Sequence, residues 1–273
     1  MSGRFAALVL AGQREGTIDP LAEAAGLKFK SLSPVAGRPM IVHVLEALAA
    51  SEKVGRIAVS INAGSGVEQV PEVAALIASG RLTVVEASKN LVDSVLTALE
   101  SVTFPVLITT SDNVLLSTAS IEEIDARARA EHADVAVAMA LREDVLAAHP
   151  DGQRKFYRCA CGEYSNCNAY WIGSVRALAP AELFRSGGQF VKHPMRVVKA
   201  FGLAGLIEIV RFRYGLSRLD DSFRRLSRRF GLTMRPVIMS DGASAIDVDH
   251  ERSRKVAEEV IAARRGGAAQ RAA

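Results

Sequence analysis

A bare turn and a nearby lysine follow the first apolar stretch of the sequence. Leu10-Ala11-Gly12 closes this stretch, and Arg14 and Lys30 lie in the polar passage behind it. A planar base can approach the backbone of a turn that carries no bulky side chain. A lysine beside such a turn supplies a point charge for phosphates. These residue types favour nucleotide binding, and the alternative is a tight strand-to-helix turn without a ligand.

Two common phosphate-binding motifs do not fit this passage. The P-loop requires Gly immediately before Lys-Ser, but Phe29 precedes Lys30-Ser31. The dinucleotide fingerprint G-x-G-x-x-G is not formed by Gly12 and Gly16. What remains is the small-residue turn together with the lysine.

Alternating short β-branched stretches and helical patterns occupy the first half of the chain. Such a βαβ rhythm is typical of an α/β fold, with a mostly parallel sheet between two helical layers. Ser120 and Glu123 resemble a capping box at the start of the fourth helix. The predicted strands are 5–10, 56–61, 82–86, 106–110 and 134–140, and the predicted helices are 39–51, 67–79, 91–101 and 120–132.

The rhythm changes after about Pro150, and no linker or repeat divides the chain, so we predict one domain over residues 1–273. A strand pair is expected first, then two helices, one strand and a strand-like segment before a final helix with a frayed tail. These elements are predicted at 155–160, 168–172, 194–214, 217–230, 234–239, 245–250 and 251–264.

Composition limits the class of protein. The chain has 273 residues, is 49% hydrophobic and 23% charged, and carries a net charge of +4, so it is long enough to bury a large core. The first residues form an apolar run that is too short to span a membrane and leads into a glycine turn. An odd number of cysteines, three, does not suggest a secreted disulfide framework. A cytoplasmic location is therefore predicted.

These motifs resemble the nucleotidyltransferases of the GT-A-like fold, in the molybdenum-cofactor guanylyltransferase-like group. The resemblance covers residues 5–140 and 245–260, and it implies a three-layer Rossmann-like mixed sheet with a helical C-terminal elaboration. Such enzymes join a nucleoside triphosphate to a phosphorylated acceptor and release pyrophosphate. One departure is Gly12-Gln13, where the group usually has Gly-Gly. The matching residues are Leu10-Ala11-Gly12, Arg14, Lys30-Ser31-Leu32 and Gly37-Arg38-Pro39-Met40-Ile41.

The resemblance also implies a magnesium site at the carboxyl edge of the sheet. Asp112 follows the predicted strand 106–110 after one residue, Ser111, which places it at the carboxyl edge near Gly12. Asp247 and Asp249 share a face, because alternate residues of a strand point the same way. The late family motif aligns best on Asp249, with Asp247 as the second choice. Mg²⁺ in phosphoryl-transfer sites is usually held by one or two carboxylates. Helix capping is the alternative role for these acids.

By the same resemblance, Lys30 and Arg14 stabilise charge on the triphosphate, and residues near the sheet edge contact the nucleotide. Hydroxyl and amide groups both donate and accept hydrogen bonds, as base recognition requires, although helix capping explains Ser88 or Asn90 equally well. Asn168 and Lys192 are expected to contact the acceptor. The nucleotide-contact candidates are Leu10, Ala11, Gly12, Ser88, Asn90 and Ser94.

Positive charge concentrates in residues 192–235, which hold eleven Lys or Arg against three Asp or Glu. Such a segment is suited to a phosphorylated acceptor, to peripheral contact with an anionic membrane at its inner face, or simply to solvent. Nucleic-acid binding is not expected, because no known module or aromatic platform accompanies the arginines. Cys159, Cys161 and Cys167 with His149 or His193 could be zinc ligands, but the C-x2-C knuckles of structural zinc sites are missing.

The sequence thus predicts a Mg²⁺-dependent nucleotidyltransferase with a nucleotide-binding half (5–150), an acceptor half with a basic helical insertion (151–240), and a metal strand and C-terminal helix (241–265). CMP transfer to an alcohol, polyol or sugar phosphate is preferred, on family analogy and the arginine-rich segment. The alternatives are molybdenum-cofactor guanylyl or cytidylyl transfer and a non-catalytic membrane- or protein-binding relative. A glycosyltransferase is disfavoured, because Asp112-Asn113-Val114 lacks the Asp-x-Asp pattern.

Overall fold

A mixed, mostly parallel sheet of eight strands forms the centre of the molecule. The computed structural model describes residues 3–14, 16–184 and 214–272. The strands are β1 (Phe5–Leu10), β2 (Pro34–Val35), β3 (Arg38–Pro39), β4 (Val54–Ile61), β5 (Leu82–Glu86), β6 (Val106–Thr110), β7 (Val135–Leu141), β8 (Tyr157–Cys159), β9 (Gly162–Ile172) and β10 (Met234–Ile238).

The sheet order is β10-β7-β9-β6-β1-β4-β5, with β8 paired to β9, and β2 and β3 form a separate ribbon. Within that order, β9 runs antiparallel to β6 and β7, and the other neighbours are parallel. The parallel strands are nearly continuous apolar runs because both of their faces are covered.

Helices cover both faces of the sheet and bury a separate apolar cluster on each. One cluster includes Leu45, Ile121 and Val256, and the other includes Val95 and Phe223. The predicted three-layer α/β fold is therefore confirmed. In the described residues the α-helices are α1 (Pro20–Ala24), α2 (Met40–Ala50), α3 (Pro71–Ala78), α4 (Leu91–Leu99), α5 (Thr118–Ala130), α6 (Arg142–Ala148), α7 (Leu219–Phe230) and α8 (Glu251–Ala272).

Two predicted helix starts are wrong. Helix α5 begins before Ser120, because the side chain of Ser117 caps it by accepting the Ser120 N–H. The predicted helix 67–79 divides into a 3₁₀ turn, Val67–Gln69, and α3. Pro71 opens α3 at a position where its missing N–H costs no hydrogen bond.

The C-terminal segment also differs from the prediction. Residues 246–249 form no strand and pair with none in the described part of the chain, so the expected metal strand is wrong. They are held instead by the Val248 N–H, which donates to the Asp112 carbonyl at 3.0 Å. Helix α8 continues past Arg264 to Ala272, because alanine-rich sequence resumes after two glycines. Arg264 anchors it by donating to the Leu115 carbonyl.

Part of the predicted basic insertion lies outside the described residues, including the helix 194–214 apart from Tyr214, and Lys192. Helix α7 confirms the following helical prediction from Leu219 onward. None of the helices in the described ranges has both the length and the apolar character needed to cross a membrane.

Candidate active site

The carboxyl ends of β1 and β6 bring two predicted site segments to the same edge. The strands are parallel neighbours, with Leu10 opposite Thr110. The Ser111 N–H donates to the Leu10 carbonyl at 3.0 Å, so the pairing continues beyond the ladder. Gly12 and Asp112 therefore leave the sheet side by side, at the edge where open α/β sheets bind ligands.

Lys30 lies between two carboxylates at this edge. Its Nζ donates to Asp112 Oδ2 and to Asp249 Oδ1, each at 2.7 Å. The side chains of Lys30 and Asp112 are 19% and 20% exposed, whereas that of Asp249 is 60% exposed. Burial favours neutral lysine, but the two carboxylates outweigh it and raise the pKa of Lys30. The site thus holds a charged ammonium against two acids distant in sequence.

The pKa values of Asp249 and Asp247 shift in opposite directions. Burial alone would raise the pKa of Asp249, but its hydrogen bond and charge interaction with Lys30 lower it. Burial, with the negative charges of Asp249 and Asp112, raises the pKa of Asp247 to about 6. Of these two acids, Asp247 therefore gains a proton more readily.

Asn168, on β9, contacts one acid of this pair, Asp247. Its Nδ2 donates to Asp247 Oδ2 at 3.2 Å. Asn168 has a φ of 47°, and the register of β9 against β7 shifts at this place, so a bulge directs the amide toward the sheet edge. Its own backbone N–H donates to Asn166 Oδ1 at 3.1 Å. Sequence analysis predicted the residue but not the bulge.

Asn113 is a buried residue of this region that sequence analysis did not select. Its Nδ2 donates to the Cys167 carbonyl at 2.7 Å and to Thr109 Oγ1 at 3.3 Å. The amide thereby ties the turn that carries Asp112 to the bulge of β9. Its position beside the predicted acid at a strand end was the only signal in the sequence.

Gln13 organises the loop between β1 and Lys30. In the sequence it stands out only because it replaces the second glycine of the family pattern. Its side-chain Nε2 donates to the carbonyls of Thr17 and Lys28, at 2.5 and 3.1 Å, and its Oε1 accepts the Lys30 N–H at 3.2 Å. Its backbone forms a two-way pair with the side-chain amide of Asn62, with bonds of 2.7 and 2.9 Å. The glutamine therefore joins both ends of the loop and positions the backbone of Lys30.

The turn after β5 approaches the glycine turn after β1. A Cβ added to Gly12 would lie 3.0 Å from the Cβ of Ala87, so the two backbones pass closely. Asn90 caps α4 by accepting the Asp93 N–H at 2.9 Å. The Ser88 N–H donates to the buried Ser94 Oγ at 2.9 Å. These bonds fix the loop and leave the Ser88 side chain exposed.

The remaining residues of the predicted motif differ in their exposure and in their contacts. Leu10 is half-buried and packs against the second core cluster, and Ala11 is buried. Arg14 is exposed, and no described residue forms an ion pair with it. Arg38 of the family motif bonds Glu46 and Glu72, so it supports the β3–α2 corner rather than the edge.

A cleft of about 400 Å³ lies beside Asp247 and Asp249. Polar side chains, among them Asn166 and Asn168, line much of it. Cationic side chains, Lys155 and Arg252, also line it. This combination of amides and cations suits an anionic, hydroxyl-bearing molecule.

The described part of the basic segment packs with its apolar side inward. Leu219 and Phe223 of α7 are buried in the second core cluster, and Arg224 and Arg228 are exposed. Contact of this helix with an anionic surface would therefore depend on its arginines and not on its apolar residues.

The three cysteines lie on the β8–β9 hairpin. Cys167 is buried in β9, and burial raises the pKa of its thiol. Burial also raises the pKa of Cys159, to about 11. Of the two histidines considered as a fourth ligand, His149 hydrogen bonds Glu259 at 2.8 Å, and His193 lies outside the described residues. Among the described residues, no group of three or more His, Cys, Asp or Glu side chains is arranged to hold a metal ion.

Solved structures of other proteins share this fold. A hypothetical transferase from Thermus thermophilus aligns with a TM-score of 0.74 and 24% identity, over 92% of this chain and 99% of the other. The 2-C-methyl-D-erythritol 4-phosphate cytidylyltransferase of Thermus thermophilus aligns at 0.51 and 14%, over 94% and 98%. A CMP:2-keto-3-deoxy-manno-octonic acid synthetase bound to CTP aligns at 0.53 and 14%, over 95% and 99%. These likenesses establish the fold.

The sequence itself establishes the family. No curated protein matches the chain. Residues 7–198 match the family described as the MobA-like NTP transferase domain, which spans more than half of the chain. The resemblance inferred from the motifs is thus confirmed. The chain belongs to the family of MobA-like NTP transferase domains and is a nucleotidyltransferase.

Proposed function

We propose that the protein transfers an NMP, by preference CMP, from an NTP to a phosphorylated alcohol, polyol or sugar with release of pyrophosphate. The observation that carries this proposal is the Lys30 ammonium held between Asp112 and Asp249 at the edge of the sheet. A cation for phosphates and carboxylates for a metal are the parts that nucleotidyl transfer requires. Their presence also speaks against a non-catalytic relative.

The donor set at this edge fits Mg²⁺. Asp112 Oδ1 is buried and has no hydrogen-bond partner, which leaves it available as a ligand. Asp249 is exposed, so it can reach a metal that is shared with a substrate. We propose Asp112 and Asp249 as the residues that would hold Mg²⁺, with Asp247 beside them. When bound, Mg²⁺ would neutralise charge on the phosphates and act as a Lewis acid.

The residues of this chain position the reactants. An oxygen of the acceptor phosphate forms a bond to the α-phosphorus, the bond from that phosphorus to the β-phosphate oxygen breaks, and pyrophosphate leaves with the electron pair. The attacking oxygen is already ionised, so no side chain has to remove a proton. Lys30, with Arg14 from the exposed loop, would stabilise charge on the triphosphate, and Gln13 would hold the Lys30 backbone in place.

Nucleotide contacts are assigned to the turns that meet above the sheet. Leu10, Ala11 and Gly12 would place their backbone beside the base, because a turn without bulky side chains allows a planar ring to come close. A side chain at Gly12 would crowd Ala87, so glycine keeps this turn open. The exposed Ser88 would supply a further contact. Asn90 and Ser94, which we also predicted as contacts, would act by fixing the backbone of this loop.

The acceptor is assigned to the cleft beside Asp247. Asn168 would contact it, and Lys155 and Arg252 would attract its negative charge. Lys192 was predicted for the same role, and it lies outside the described residues. The preference for CMP is supported by two neighbours in fold, one named as a cytidylyltransferase and one bound to CTP.

The test is pyrophosphate release with Mg²⁺ from each of the four NTPs. The acceptor panel should contain glycerol 3-phosphate, ribitol 5-phosphate, glucose 1-phosphate, 2-C-methyl-D-erythritol 4-phosphate, a molybdopterin and 2-keto-3-deoxy-manno-octonic acid. We expect release with one NTP, CTP by preference, and one phosphorylated acceptor. Release with only the pterin or only the sugar acid would refute the acceptor class.

The matched variants are Asp112→Asn and Glu143→Gln, since Glu143 is an exposed acid on α6. Loss of a metal ligand removes several kcal/mol of transition-state stabilisation, so Asp112→Asn should lower the rate by about a hundredfold or more. Glu143→Gln should retain the wild-type rate. No release by the wild-type protein, together with no NTP-induced rise in melting temperature, would favour the non-catalytic reading.

A further inference from the structure

Lys30 occupies the position where a cation neutralises Asp112 and Asp249. The contacts are symmetrical, with 2.7 Å from Nζ to one oxygen of each carboxylate. The Lys30 side chain is four-fifths buried, so solvent screens its charge less than that of a surface lysine. The same two carboxylates are the ones proposed to hold Mg²⁺.

A divalent ion on these carboxylates would face the ammonium group at close range. Two cations a few ångströms apart oppose each other's binding, by about tenfold or more even at the dielectric constant of water. Lysine has a flexible stem and no fixed geometry, so Nζ can exchange a carboxylate for another anion by rotation about its side-chain bonds. A triphosphate is such an anion.

We infer that Lys30 keeps Asp112 and Asp249 in a low-affinity state for metal until the nucleotide arrives and takes Lys30 as its own partner. The metal would then bind well only together with the triphosphate. The inference rests on the proposed function, because it assigns the metal and the nucleotide to the same site. It gives Lys30 a second role, distinct from stabilising charge on the triphosphate.

The test is binding of Mn²⁺ alone, measured by titration calorimetry or electron paramagnetic resonance without nucleotide. Lys30→Met should bind Mn²⁺ about tenfold tighter than the wild-type protein. The same variant should bind CTP more weakly when EDTA is present, because the triphosphate has lost its cation. A lysine with only a structural role would, on removal, weaken both.

Two variants control for charge and fold. Lys28→Met removes a positive charge two residues away from Lys30. The Lys28 ammonium lies over the Phe29 ring, 5.3 Å from its centroid. This variant should leave Mn²⁺ affinity unchanged. Lys30→Arg keeps the charge and should bind Mn²⁺ about as weakly as the wild-type protein. If Lys30→Met does not fold, Lys30→Gln replaces it, since glutamine keeps hydrogen-bonding capacity without charge.

The outcomes separate this inference from the proposed function. Unchanged or weaker Mn²⁺ binding by the neutral Lys30 variants, with CTP binding intact in the wild-type protein, would overturn the inference alone. Absence of CTP, ATP, GTP and UTP binding by the wild-type protein would overturn the proposed function, and with it the second role of Lys30.

Discussion

Replacement of Asp247 by asparagine should stabilise the protein at neutral pH. The rise in the Asp247 pKa from its usual value of 3.8 to about 6 is caused first by burial and then by the charges of Asp249 and Asp112. A rise of that size corresponds to roughly 3 kcal/mol of unfolding free energy once the acid is ionised. Partial exposure and coupling to Asp249 reduce it, so we expect about 1–3 kcal/mol.

The sign follows from proton binding. The folded state holds a proton on Asp247 more tightly than the unfolded chain, so its favourable contribution is complete below pH 3.8 and is lost as the pH rises through about 6. Asparagine resembles the protonated acid in shape and charge, and it can still pair with Asn168. The advantage of Asp247→Asn should therefore be small near pH 4 and reach its full size above pH 7.

Urea unfolding in EDTA at several pH values from 4 to 8 measures this difference without metal. Glu143→Gln serves as a control for the loss of one exposed acid and should show no such pH dependence. A stability difference that is constant across this pH range, or one that favours the wild-type protein at pH 8, would refute the assignment of a raised pKa to Asp247.

Three further changes test the supports of the site. Gln13→Leu removes the side-chain hydrogen bonds that close the loop, so NTP affinity should fall about tenfold in a fluorescence titration. Unchanged affinity would show that Gln13 does not position the loop for the nucleotide. Asn113→Ala leaves a buried carbonyl of β9 without its donor, and should cost about 1–3 kcal/mol in urea unfolding. Gly242→Ala places a Cβ 2.2 Å from the Asp144 backbone and should prevent stable folding, whereas Gly266→Ala, with no atom within 4 Å, should be tolerated. Equal melting temperatures for the two glycine variants would contradict that packing.

Strand positions and the edge that carries the site were predictable because they depend on periodicity. Buried parallel strands appear as apolar runs, and β1, β5 and β6 begin and end where the sequence predicts. Parallel strands end at the same edge, so the alternation of strands and helices places both Gly12 and Asp112 at that edge. Their proximity depends in addition on the pairing of β1 with β6.

The contacts within the site were less predictable because they depend on tertiary structure. Lys30 and Asp249 are far apart in sequence, and no local pattern indicates that one ammonium group bonds both Asp112 and Asp249. The bulge that directs Asn168 toward Asp247 likewise depends on pairing between β7 and β9. Gln13 was visible only as a departure from a glycine pattern, because its role comes from carbonyls elsewhere in the loop.

The most direct test of the central claim is to follow the phosphorus atoms of the reaction by ³¹P nuclear magnetic resonance. The wild-type protein is incubated with Mg²⁺, CTP and the acceptor selected by the panel, beside Asp112→Asn. We predict one new diphosphate diester for each pyrophosphate released, and neither product with the variant. Formation of CDP and inorganic phosphate instead, or equal turnover by Asp112→Asn, would contradict nucleotidyl transfer at the Lys30–Asp112–Asp249 site.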